Sequence, residues 1–199
     1  MGPWFLRWAT LPVAAAVVLL TGCTVVDELT GLPYSPCPES PGDPAVGPTR
    51  HTDVAPPYSG PGPHPVRFDK MGLGKNEASP AAEIPHGWLA SPSAESGDEP
   101  DPAVVQLAVC RYVRAADEVG RCFRGDFHGV GVPLVEAVHT FHVREARTGD
   151  RVGAFTLAGT EGGCPDGYLR TRLGPDSIVL TVDETQLREA LRPFVEGTV

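Results

Sequence analysis

Apolar and polar positions follow three different rhythms along this chain of 199 residues. Residues 9–20 form a run of apolar and small side chains broken only by Thr10 and Pro12. A helical span of a bilayer core needs roughly 20 apolar residues, so this run is too short to cross one. No rhythm is visible over residues 24–65, where prolines recur at 33, 36, 38, 41, 44, 48, 56, 57, 61, 63 and 65. Alternation begins with Pro65, Val66, Arg67, Phe68 and Asp69, which predict a first strand. Residues 72–102 read as loop, with Trp88 and Leu89 as a plug for the core and an acidic, Ser/Pro-rich stretch over 91–102.

From residue 103 the pattern turns to β. The Val-rich stretch 103–113 and the short stretch 119–123 predict two strands, with Ala115, Ala116, Asp117 and Glu118 as the turn between them. Over 134–146 the residues Val135, Ala137, His139, Phe141 and Val143 share one parity, which puts them on one face of a strand. Residues 147–150, with Gly149 available for positive φ, predict a turn into a strand over 151–158 that carries Phe155 and Leu157 on one face. A β-branched run follows at 177–182. The period then changes: Leu187, Ala190, Leu191 and Phe194 recur at helical spacing, behind a capping pair of Asp183 and Gln186. Pro193 should end or kink that helix. Short strands punctuated by turns predict a mainly β fold, a small antiparallel sandwich or barrel-like domain over 63–199 with one short C-terminal helix.

The N-terminal run has the layout of a secretory signal, with Arg7 ahead of an apolar middle and small residues at the end. It closes on Leu20-Thr21-Gly22-Cys23, which resembles the lipobox of bacterial lipoproteins. A thiol at that point can form the thioether to diacylglycerol, and cleavage before it makes Cys23 the new N-terminus. Each buried methylene contributes about 0.8 kcal/mol, so two or more acyl chains, palmitate among them, anchor stably. The expected layout is a signal peptide over 1–22, a lipidated and disordered tether over 23–62, and an extracytoplasmic β-domain over 63–199. The domain is expected on the outer face of the cell membrane, held by lipid.

Charge and composition narrow the partners. The net charge is -9 and the basic residues are scattered, which argues against nucleic acid as a partner. Gly 23 and Pro 22 are well above average usage and fit the spacer reading of the proline-rich segment. Apart from Cys23, four cysteines remain: Cys37, Cys110, Cys122 and Cys164. An even number outside the cell predicts two disulfides, with three connectivities open. The predicted hairpin centred near Ala116 sets Cys110 opposite Cys122, at a spacing suited to a disulfide. Cys37 would then bond Cys164. The rival joins Cys110 or Cys122 to Cys164 and leaves Cys37 to the other.

Cys23, Pro61-Gly62-Pro63-His64-Pro65, Val105-Gln106-Leu107-Ala108-Val109-Cys110, Val119-Gly120-Arg121-Cys122, Glu145-Ala146-Arg147-Thr148-Gly149 and Cys164-Pro165 together give a resemblance. Over most of residues 58–199 the chain resembles a group of uncharacterised secreted lipoproteins of high-GC Gram-positive bacteria. The shared motifs are structural, and the resemblance implies an extracellular domain and no particular activity.

Motifs for chemistry are absent: there is no Gly-x-Ser-x-Gly elbow, no H-E-x-x-H, no phosphate-binding loop and no EF-hand. The Gly72-Leu73-Gly74-Lys75 turn lacks P-loop spacing. Asp98 and Glu99 read as solvated, and Glu136 and Glu145 lie too far apart in sequence to suggest a pair. His139 and His142 sit three apart on a strand and therefore point to opposite faces, so they do not chelate; both read as partly exposed strand histidines. No metal, cofactor or catalytic residue is expected. The leading expectation is a tethered, non-enzymatic β-domain that binds an envelope protein or cell-wall partner, or supports the surface. The alternative is a surface hydrolase with a site assembled from His128, His139 and Asp126.

Overall fold

A computed structural model describes residues 35–49, 51–71, 84–85, 87–90, 101–123, 131–164 and 177–199. The segment carrying Cys23 and the expected signal sequence lies outside the described residues, as do His128 and Asp126. Six strands form one mixed sheet: β1 (Val66–Met71), β2 (Leu107–Cys122), β3 (Val132–Glu145), β4 (Arg151–Glu161), β5 (Ile178–Val179) and β6 (Thr181–Val182). The order is β1-β2-β3-β4-β6, with β5 beside β3. Antiparallel pairing dominates, while β1 with β2 and β3 with β5 run parallel. A single helix, α1 (Glu184–Val195), follows the last strand. The mainly β domain with a short C-terminal helix is thus as the sequence predicted, except that parallel pairs make its sheet mixed.

The expected turn at 115–118 does not form. β2 runs through it for 16 residues, and the misfit is taken up by register shifts between Ala115 and Glu118 and between Glu118 and Gly120. A two-residue hairpin turn needs positive φ, for which Gly or Asn is suited. Ala-Ala-Asp-Glu offers neither, so the strand bulges instead of reversing. The turn at 147–150 does form, and there Gly149 adopts φ 76°.

Strand parity sorts the core into two faces. Val66, Leu107, Val109, Phe141 and Val143 lie on one, under Leu187, Leu191 and Val195 of α1. Phe141 stacks on Phe155 at 4.9 Å and Phe155 on Phe194 at 6.5 Å, so an aromatic column joins sheet to helix. The helix begins as its capping pair predicts, with the Asp183 carboxylate accepting from the Gln186 N–H at 2.8 Å. Pro193 sits in the last turn, exposed, and the helix ends two residues later.

The opposite face is where the expected disordered tether over 23–62 is corrected. Its second half is part of the fold. Cys37, Thr49, His51 and Ala55 are buried. Cys37 and Tyr112 pack with Cys110, and Ala55 packs with Val105 and Ala146. Further on, residues 60–64 run against the chain after α1. Gly60 and Val199 exchange two backbone hydrogen bonds, and the Gly62 and His64 N–H groups donate to the Gly197 and Val195 carbonyls. The compact unit begins at Pro33, not near residue 63. Proline-rich backbone has little freedom to lose, and a few buried side chains with one covalent bond hold it down.

Candidate functional site

The cysteines set the frame. Cys37 bonds Cys110 and Cys122 bonds Cys164, with Cα separations of 5.5 Å and 5.4 Å. The pairing predicted from a hairpin, Cys110 with Cys122, is therefore corrected, and the rival connectivity stands. Because β2 does not reverse, those two cysteines lie twelve residues apart on one strand, about 40 Å by strand rise, far beyond disulfide reach. One bond pins the N-terminal segment to the middle of the sheet, and the other ties the far end of β2 to the chain after β4.

Four histidines are described, and all four are buried: His51, His64, His139 and His142. The expectation of partly exposed strand histidines is corrected for His139 and His142, which are 0% and 4% exposed. They do occupy opposite faces, as their spacing required. Both faces are covered, one by α1 and the other by the N-terminal segment, and this second cover was not foreseen.

His139 accepts from Arg111 Nε at its Nδ1 (2.9 Å) and donates from Nε2 to the Leu180 carbonyl (2.9 Å). This arrangement fixes the neutral tautomer with the proton on Nε2. Burial and the Arg111 guanidinium hold its pKa down to about 4, against the pull of the Leu180 carbonyl. Gly159 makes the reach possible, since a Cβ there would collide with the His139 ring and the Leu180 carbonyl. Both nitrogens being engaged, the ring has neither a free base nor a free ligand position.

His64 lies beneath the edge of Tyr58 at 4.7 Å, between the Gln106 side-chain oxygen (2.7 Å from Nδ1) and the Gly197 carbonyl (3.1 Å from Nε2). Gln106 in turn donates to the Pro57 carbonyl, and Tyr58 donates from its hydroxyl to the Phe194 carbonyl and from its N–H to Glu145. These bonds fasten segment 57–64 to Gln106 just ahead of β2, to β3 and to the end of α1.

On the other face, Arg67 meets Asp69 at 2.6 Å, and Asp69 also accepts from Ser35 at 2.6 Å. Arg67 lies 3.4 Å from His51, whose pKa is lowered by burial and by that guanidinium, with Asp69 acting the other way. The Tyr112 hydroxyl donates to the Pro38 carbonyl, and its ring stands edge-on to His142 at 5.2 Å.

Among the described residues, no three His, Cys, Asp or Glu side chains come together as a metal site. Glu136 and Glu145 do not converge: they lie nine residues apart on β3, and Glu145 bonds Tyr58 and Thr148. Trp88 is buried in the core, as its plug role requires. No family profile, curated protein or solved structure matches the chain.

Proposed function

We propose that this is a lipid-anchored extracytoplasmic protein whose β-domain binds a partner or braces the envelope and carries out no reaction. The observation that supports it most is the complete pairing of Cys37, Cys110, Cys122 and Cys164, which suits an oxidising compartment. That compartment is the one to which a signal ending in Leu20-Thr21-Gly22-Cys23 would deliver the chain. Cys23 then stands apart from the other four as the cysteine available for acylation. Of the residues of the hydrolase reading, His128, His139 and Asp126, the described one, His139, has both nitrogens committed inside the core.

The test is Cys23→Ala expressed in a Gram-positive host with lipoprotein processing. The native chain should sediment with membranes and yield an acylated Cys23 peptide by mass spectrometry. The variant should lose the lipid and leave the membrane fraction. A variant that stays on membranes and carries lipid would defeat the anchor. The native, lipidated chain, solubilised in detergent and used as bait, would then identify the envelope or cell-wall partner.

A further inference from the structure

Arg144 is an anomaly of the face under the N-terminal segment. It is 4% exposed, yet its one hydrogen bond among the described residues runs from Nη1 to the Gly149 carbonyl at 2.7 Å. Nε is buried without an acceptor. Across the strands, the Cα partner of Arg144 is Arg151, placed there by a register shift after Val143. Neither arginine has an ion pair among the described residues. His142, two residues along β3 on the same face, is also 4% exposed, and its Nδ1 is buried without a partner. Opposed like charges disfavour a sheet pair, and a buried guanidinium ordinarily has an anion beside it.

No described carboxylate pairs with either arginine, that of Asp150 beside Arg151 included. Asp69 is held by Arg67 and Ser35, Asp43 accepts from the Ser40 N–H, and Glu145 bonds Tyr58 and Thr148. Residues 36–46 form the cover: Tyr112 donates to the Pro38 carbonyl, and Gly149 lies close to the Val46 carbonyl and the Pro36 ring.

We infer that Arg144, His142 and Arg151 form a binding site for one small oxyanion, a carboxylate or an inorganic sulfate-type ion. With Nη1 taken by Gly149, the side-on edge of the Arg144 fork, Nε and Nη2, presents two parallel donors to two oxygens. His142 donates a third hydrogen bond from Nδ1, and the exposed Arg151 closes the site from the rim. The pKa of His142 is lowered by burial, then by Arg151 and Arg144, and Tyr112, Asp43 and Asp69 stand on the same side. An anion between the arginines reverses the arginine contribution, so His142 reports occupancy directly.

The experiment is a titration of the full chain in detergent with sodium acetate, sulfate or chloride at fixed ionic strength, following the His142 ring by NMR. Saturable binding of acetate or sulfate, with a rise in the His142 pKa, supports the site. Saturation by acetate alone identifies a carboxylate source, and saturation by sulfate alone an inorganic one. Equal, unsaturating effects of all three salts mean charge screening only and overturn the proposal, as does the absence of any effect. Arg144→Gln should abolish saturation. Arg151→Gln, a surface change that leaves the fold intact, should weaken binding about tenfold. Binding by Arg151→Gln at wild-type strength, with Arg144→Gln binding or failing to fold, also overturns it.

Discussion

His139 spends both ring nitrogens inside the core, and this gives it a predictable effect on stability. Its ordinary pKa is 6.5 and its folded value about 4, so between those limits the unfolded chain binds a proton that the folded chain refuses. Its contribution is therefore fully present above about pH 6.5 and is lost as pH falls towards 4. Equilibrium unfolding should show a loss on the order of 2 to 3 kcal/mol between pH 7 and pH 4, with His51 and His142 adding in the same direction. In His139→Gln, measured the same way, the slope over this window should shrink even though the variant starts less stable. An unchanged slope would show that another group governs acid sensitivity. The burial of His139 was not legible: its parity with Phe141 and Val143 puts the three on one face of the strand, but the partners that bury it, Arg111 and Leu180, are 28 and 41 residues away in sequence.

At the scale of elements, signals that act within a few residues were readable and those that depend on distant partners were not. The α1 cap is local: Asp183 accepts from Gln186, three residues on. Asp183→Ala should cost about 1 kcal/mol in chemical denaturation, the usual worth of such a cap, while Asp183→Asn should cost little. The turn at Gly149 and the alternation of β3 were equally local. The reversal at 115–118 looked local too, but whether a strand turns or bulges there depends on the partner it gains. Leu134 and Val135 of β3 pair with Gly120 and Glu118, and that pairing carries β2 straight through to Cys122. Without that reversal Cys110 and Cys122 cannot face each other, so the disulfide pairing changes with the turn. The parallel pairing of β1 with β2 was likewise illegible, since their first Cα partners, Val66 and Leu107, are separated by the whole 72–102 loop.

Across the whole molecule, composition misled at one boundary. The proline-rich stretch has too few apolar residues to form a core of its own, but it contributes single residues, Cys37, His51 and Ala55, to a core built by others. The Cys37–Cys110 bond also determines how the domain carries a mechanical load. A pull on the N-terminus enters through Cys37 and passes by a covalent route to β2 in the interior of the sheet, so residues 38–109 bear no tension. Cys122–Cys164 shunts force past residues 123–163 in the same way. Stretching the molecule between its ends should therefore leave both closed loops unextended after the sheet has ruptured. Adding a reductant should then release roughly 400 Å of further length, in two steps of unequal size, the larger from the loop closed by Cys37. A protein held to a moving surface by its first residues would keep residues 38–64, with the part bonded to α1, and β1 out of the loaded path.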